Sequence, residues 1–188
     1  MPTVNHHRPP ALTSPNTPLN VRKSPLDGVI VIEPPTIFED FRGHYVELYN
    51  APTYRAAGID YEFIQDDISV SRQHVLRGVH GDRKTAKLIS CLHGAFYLVV
   101  VNNIPESPQY RQWTAFTLSD RNRNQVLVPP GFGNGHLVLT EFAIFHYKQS
   151  TTYDRPSQFT LLWNDPELKI WWPVKNPIVS QRDSQLSA

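Results

Sequence analysis

From residue 28 onward the pattern of apolar and polar positions is strand-like. Gly28-Val29-Ile30-Val31-Ile32 is a β-branched run closed by Pro34-Pro35, and His44-Tyr45-Val46-Glu47-Leu48-Tyr49 alternates. The runs Lys87 to Leu92 and Ala95 to Val101 flank His93-Gly94, which predicts a tight hairpin. Trp113 to Leu118, Gln125 to Val128, His136 to Lys148 and Phe159 to Trp163 extend the series. One short helix is expected around Pro52 to Ala57, with Gly58 to stop it. Many short strands punctuated by Pro and Gly predict an all-β antiparallel fold, a sandwich or barrel with short peripheral helices.

The chain has 188 residues, enough for one domain with its own core. Residues 1–25 are rich in Pro, His, Asn, Ser and Thr. So little apolar surface cannot offset the entropy of ordering, so this segment is expected to be flexible or to order against a partner. The folded domain is expected over residues 26–183, with a polar tail at 184–188. A net charge of +1 offers no basic excess for nucleic acid or an anionic membrane. No apolar run approaches the roughly 18–20 residues of a membrane span. The polar, proline-rich start is unlike a signal peptide, and the single cysteine fits a reducing compartment, so the cytoplasm is the expected location. Cys91 lies in an apolar run and reads as a buried, inert thiol.

A few polar residues interrupt apolar strands. In Leu76-Arg77-Gly78-Val79-His80, strict alternation places Arg77 and Val79 on one face and Leu76, Gly78 and His80 on the other. Taken alone, His80 reads equally as a satisfied core histidine, Asp165 before Pro166 as a turn residue, and Tyr147 as a packing aromatic. The stretch 129–136, with two prolines and three glycines, reads as a rigid turn. A metal site would call for two histidines one residue apart on a strand, and the barrel region has no such pair. The adjacent His6-His7 lie in the loose N-terminal segment. No metal and no cofactor are expected.

Taken in order, these motifs resemble the dTDP-4-dehydrorhamnose 3,5-epimerase family. Residues 38–47 (Phe-Glu-Asp-Phe-Arg-Gly-His-Tyr-Val-Glu) are similar to its early F-x-D-x-R-G-x-F-x-E stretch. Gln65-Asp66-Asp67-Ile68-Ser69 is similar to Q-D-N-x-S, with Asp67 in the Asn position. Leu76 to His80 matches L-R-G-L-H, Lys87-Leu88 the K-L pair, and Pro130-Gly131-Phe132 part of P-x-G-F. Tyr147-Lys148, Trp163-Asn164-Asp165 and Trp172-Pro173 complete the order.

The resemblance implies a cupin-like jelly-roll barrel with its site in the mouth, a homodimer, and inversion of C3 and/or C5 of a nucleotide-diphospho-4-keto sugar. That would place the protein in activated-sugar biosynthesis for surface polysaccharide. It implies His80 as the base, Asp165 as its partner, and Tyr147 as the acid on the opposite sugar face. Arg77 and Lys87 would face charged groups of the substrate, and Arg42, Glu47 and Gln65 its nucleotide end. The chemistry agrees with these roles. A C4 ketone acidifies the neighbouring C–H bonds, and the resulting enolate needs a cation such as Lys87 near its oxygen. A neutral histidine can accept the proton, a phenol can return one, and a carboxylate can hold the histidine tautomer.

Three departures from the family pattern stand out. Asn134 replaces the usual His of P-x-G-F-A-H-G-F, and a His appears at 136. The loop from His80 to Lys87 is short and carries Asp82, Arg83 and Lys84. Tyr153 stands where a pair of tyrosines would stack on the base. These features lean toward the relatives that act on GDP-linked hexoses or heptoses rather than dTDP sugars. A 3,4-ketoisomerase of the same fold and a non-catalytic cupin-type sugar-binding protein are the alternatives. In the dimer, the early strand near Val29 to Ile32 is expected to cross to the partner's sheet and cover an open edge.

Overall fold

A computed structural model describes residues 19–33 and 37–184. The expectations for the segment before residue 19, for Pro34-Pro35 and for the tail after residue 184 lie outside the described residues. The domain begins earlier than residue 26, because Asn20–Lys23 forms strand β1. It pairs antiparallel with β2 (Ile30–Glu33), which pairs on its other side with β10 (Gln125–Val128) of the same chain. The expectation that Val29 to Ile32 crosses to a partner is therefore overturned. Ile32 is fully buried by its own chain.

Two antiparallel sheets face each other, as in a jelly roll. One has the order β1-β2-β10-β7-β12-β5, where β5 is Gln65–Arg72, β7 is Lys87–His93 and β12 is Phe142–Gln149. The other has the order β13-β6-β11-β8-β9, where β6 is Leu76–Gly81, β8 Ala95–Asn102, β9 Trp113–Ser119, β11 Phe132–Val138 and β13 Phe159–Thr160. β3 (Ile37–Asp40) and β4 (Gly43–Val46) form a separate hairpin. The helix α1 spans Ala51–Ala56, capped by the Asn50 side chain, and a second short helix, α2, spans Gln181–Ser184.

Two expected elements are arranged differently. The run 136–148 is broken by a turn into β11 and β12, which lie in different sheets. Residues 87–92 and 95–101 do not pair as a hairpin. At His93-Gly94 the chain steps from one sheet to the other. Gly94 takes φ 72°, and a Cβ there would lie 2.3 Å from the carbonyl oxygen of Phe142. Its N–H donates to Asp120 Oδ2 at 2.8 Å, which fixes the corner.

The core between the sheets contains Ile89, Phe96, Leu98, Val100, Phe132 and Phe145. Part of each outer face is also covered. Tyr54 of α1, with Ile59, packs on Ile32, Leu88 and Leu127 of the larger sheet. Leu168 and Trp172 of the C-terminal segment pack on Leu76, Val79, Val99 and Val101 of the smaller one. Double-sided burial explains why β8 and β10 read as continuous apolar runs rather than alternating ones. The Cys91 thiol is buried and pushed up to about 12, chiefly by that burial.

Candidate active site

The interior of the barrel opens at one end into a cavity of about 350 Å³. Its two walls come from the two sheets. The larger sheet supplies Gln65 and Asp67 on β5, Lys87 on β7, and Tyr147 and Gln149 on β12. The smaller sheet supplies Arg77 and His80 on β6, and Asn134 and His136 on β11. Tyr153 and Gln158 from the connection after β12, and Arg182 from α2, complete the lining.

Strict alternation would turn Arg77 and His80 to opposite faces, yet both line this cavity. The reason is a bulge. Asn134 pairs with His80 and His136 with Arg77, so three steps of β6 oppose two of β11. Gly78 makes this possible. It takes φ 119°, and a Cβ there would lie 2.5 Å from the Gly135 backbone. The extra residue brings Arg77 round to the side of His80.

His80 Nε2 lies 2.6 Å from Asp183 Oδ1, and only 4% of the Asp183 side chain is exposed. Burial raises the Asp183 carboxyl, but the hydrogen bond and charge of His80, with Ser180 and the Gly78 N–H, bring it below its usual value. An ionised carboxylate there accepts Nε2–H and leaves Nδ1 with the lone pair. The carboxylate on His80 is thus Asp183 and not Asp165. Asp165 accepts from Arg111 Nη2 at 2.7 Å and from the Glu167 N–H at 2.8 Å, outside the cavity. It stabilises a turn in the cladding of the smaller sheet, where the Trp172 indole N–H donates to the Trp163 carbonyl.

Sequence reasoning passed over Asp183 because it borders a polar tail. A usable signal was present: Ser180-Gln181-Arg182-Asp183 has the spacing of a helix-start capping pair, and the Asp183 N–H does donate to Ser180 Oγ. Gln149, Gln158, Arg182 and the inward orientation of Asp67 were also missed. Asp67 Oδ2 accepts from Gln65 Nε2 and Gln149 Nε2, each at 2.7 Å.

Tyr147 stands beside Asp67 in the strand register. Burial first, and then the Asp67 charge, push its hydroxyl up to about 12. Lys87 is 8% exposed, and burial lowers its ammonium below the ordinary value, opposed by Asp82. Lys87 Nζ donates to Asn134 Oδ1 at 3.3 Å, which leaves the Asn134 amide hydrogens for a ligand. Arg77 Nε donates to Ser71 Oγ at 2.9 Å. Gln65 Oε1 accepts the Tyr153 N–H at 2.8 Å, holding the half-exposed Tyr153 at the mouth. Arg42 and Glu47 are not brought to this cavity within the chain. Arg42 forks onto Asp40 at the tip of the β3–β4 hairpin, and Glu47 accepts from Asn50. Among the described residues, no group of three His, Cys, Asp or Glu side chains is placed to hold a metal ion, and no helix is long and apolar enough to cross a membrane.

A jelly-roll barrel whose cavity carries a histidine–carboxylate couple on one wall and a phenol and a buried lysine on the other has the architecture of a cupin-type isomerase site. The chain matches the sequence profile of dTDP-4-dehydrorhamnose 3,5-epimerases over residues 23–188 and belongs to that family. It is 36% identical over 169 residues to the dTDP-4-dehydrorhamnose 3,5-epimerase of Shigella flexneri, covering 88% of this chain and 93% of that protein. The crystal structure of the Legionella pneumophila enzyme in complex with dTDP-4-keto-L-rhamnose superposes with a TM-score of 0.84 at 35% identity, covering 88% of this chain and 90% of that one. ChmJ, a 3'-monoepimerase from Streptomyces bikiniensis bound to dTDP-quinovose, superposes with a TM-score of 0.79 at 30% identity, covering 89% and 84% of the two chains.

Proposed function

We propose that the protein inverts C3 and C5 of a dTDP-linked 4-keto-6-deoxy sugar by proton transfer between His80 and Tyr147. The observation that carries this reading is the placement of the His80–Asp183 couple and Tyr147 on facing sheets of one cavity. A sugar held between the walls presents one face to each group. His80 Nδ1 removes the proton beside the ketone, and Asp183 stabilises the imidazolium. The electron pair moves onto the C4 oxygen, where Lys87 and the Asn134 amide can meet the developing charge. Tyr147, still protonated at neutral pH, delivers its proton to the opposite face of the same carbon, and both groups re-equilibrate with solvent. The relatives named above are a dTDP-4-dehydrorhamnose epimerase and two enzymes bound to dTDP sugars, which favours a thymidine nucleotide over the GDP-linked sugars suggested by the sequence departures.

The test is incubation with dTDP-4-keto-6-deoxyglucose in heavy water. NMR should show deuterium at C3 and C5 in an inverted product. A shifted carbonyl instead would mark a 3,4-ketoisomerase, and binding without exchange a non-catalytic protein.

The same reading includes a homodimer. Phe41, 99% exposed at the tip of the β3–β4 hairpin, and the exposed Tyr45 on its β4 arm are left uncovered by the described residues, and Ile64, Ile68 and Val70 lie exposed on and beside the edge strand β5. A second copy would cover both surfaces and bring Arg42 toward the nucleotide end of a cavity that one chain leaves without it. Light scattering at micromolar concentration should give twice the chain mass, and Phe41→Asp should halve it. A wild-type monomer would sink this arrangement.

A further inference from the structure

The floor of the cavity carries a polar group that the proton-transfer scheme does not use. His136 is 4% exposed, and its ring lies flat on Phe145, with centroids 4.1 Å apart and planes 9° apart. The Phe96 ring lies tilted against the same pair, 5.3 Å from His136 and 5.2 Å from Phe145. Among the described residues, nothing hydrogen-bonds its buried Nε2. Burial, and after it the charge of Arg77, hold its pKa down to about 3, so the ring is neutral, with one N–H and one lone pair. Buried polar atoms without partners are rare in folded proteins and call for a ligand, a water or a chemical role. The ring borders the same cavity as His80 and Asn134, where a ligand held in that cavity would come within reach of it. A neutral imidazole that can donate or accept is complementary to a hydroxyl, and offers nothing to a methyl or methylene.

We propose that His136 hydrogen-bonds a hydroxyl of the bound sugar and makes the enzyme select among 4-keto sugars by that hydroxyl. The inference rests on the epimerase reading above, and its test separates the two. The substrates are dTDP-4-keto-6-deoxyglucose, its 2-deoxy and 3-deoxy counterparts, and its 6-hydroxy counterpart. The readout is kcat/KM for deuterium uptake at C5, a position all four share. Wild-type protein should favour one member of a pair differing by a single hydroxyl by roughly 10- to 100-fold, the effect of leaving a buried hydrogen-bonding group unmet. His136→Phe preserves the stack on Phe145 and should erase that preference, whereas His136→Gln, which retains a donor and an acceptor, should keep part of it. Uniform loss across all four sugars in His136→Phe would mean a packing role and overturn the proposal. So would a wild-type enzyme with no such preference, a measurement that needs no variant to fold. Absence of wild-type exchange on every sugar would instead refute the epimerase reading itself, and this inference with it.

Discussion

Asp183→Asn removes one charge and almost no volume. In the native site Asp183 Oδ1 lies 2.6 Å from His80 Nε2, while Oδ2 receives the Gly78 N–H at 3.4 Å. The carboxyl is held below its usual pKa, so at neutral pH it is an anion facing the ring that must become an imidazolium. A hydrogen bond to a charged group contributes about 1.5–3 kcal/mol, and each 1.36 kcal/mol is a factor of ten in rate, so loss of the charge alone predicts roughly a 10- to 150-fold fall in kcat. The carboxamide can also present its NH₂ to Nε2, which forces the proton onto Nδ1 and blocks the base. In hydrolase triads this tautomer error takes the loss to about 10⁴-fold. The expected fall therefore lies between about 10²- and 10⁴-fold, with KM little changed, because the charge acts mainly in the transition state. Asp165→Asn is the control. It weakens a partly exposed ion pair with Arg111, which should cost about 0.5–1 kcal/mol, or a few degrees in Tm, and leave kcat near wild type. The assay is turnover and deuterium exchange at C3 and C5 by NMR, beside thermal melts. If Asp165→Asn lost as much turnover as Asp183→Asn, the pairing argued from the structure would be wrong.

Two further substitutions probe the opposite wall. Tyr147→Phe should leave His80 able to remove a proton and return deuterium to the same face, so exchange should persist while inverted product falls sharply; undiminished inversion would exclude Tyr147 as the acid. Lys87→Met should lower kcat on the order of 10²-fold, more than it weakens binding, whereas unchanged kcat with a raised KM would reassign Lys87 to the diphosphate. The same variant should be more stable at neutral pH. Because the folded pKa of Lys87 lies below its ordinary 10.5, the unfolded chain binds more protons between the two values, and the native protein gains stability as pH rises across that interval. Melts of Lys87→Met should show a higher Tm and lack that rise, and an equal alkaline rise in the variant would exclude Lys87 as its source.

Local pattern determined much of this protein. Turn residues and short apolar runs were enough for an all-β fold, because strand length and punctuation are properties of neighbouring residues. The ordered motifs carried the family and placed His80, Tyr147, Lys87, Asn134 and Gln65 as candidates that do line one cavity. What the tertiary structure alone decided involves residues far apart in the chain. Asp183 reaches His80 across 103 positions, so no spacing rule could prefer it to Asp165, whose carboxylate is taken by its own turn and by Arg111. Arg77 and His80 share a face only because a bulge opposes three steps of β6 to two of β11, and alternation read along one strand cannot register its partner. His93-Gly94 looked like a hairpin because a tight corner has the same residues whether its arms pair together or part into separate sheets. The burial of His136 belongs to the same class. Its environment is made by Phe96 and Phe145 from other strands, and the unmet nitrogen beside them exists only once the barrel closes.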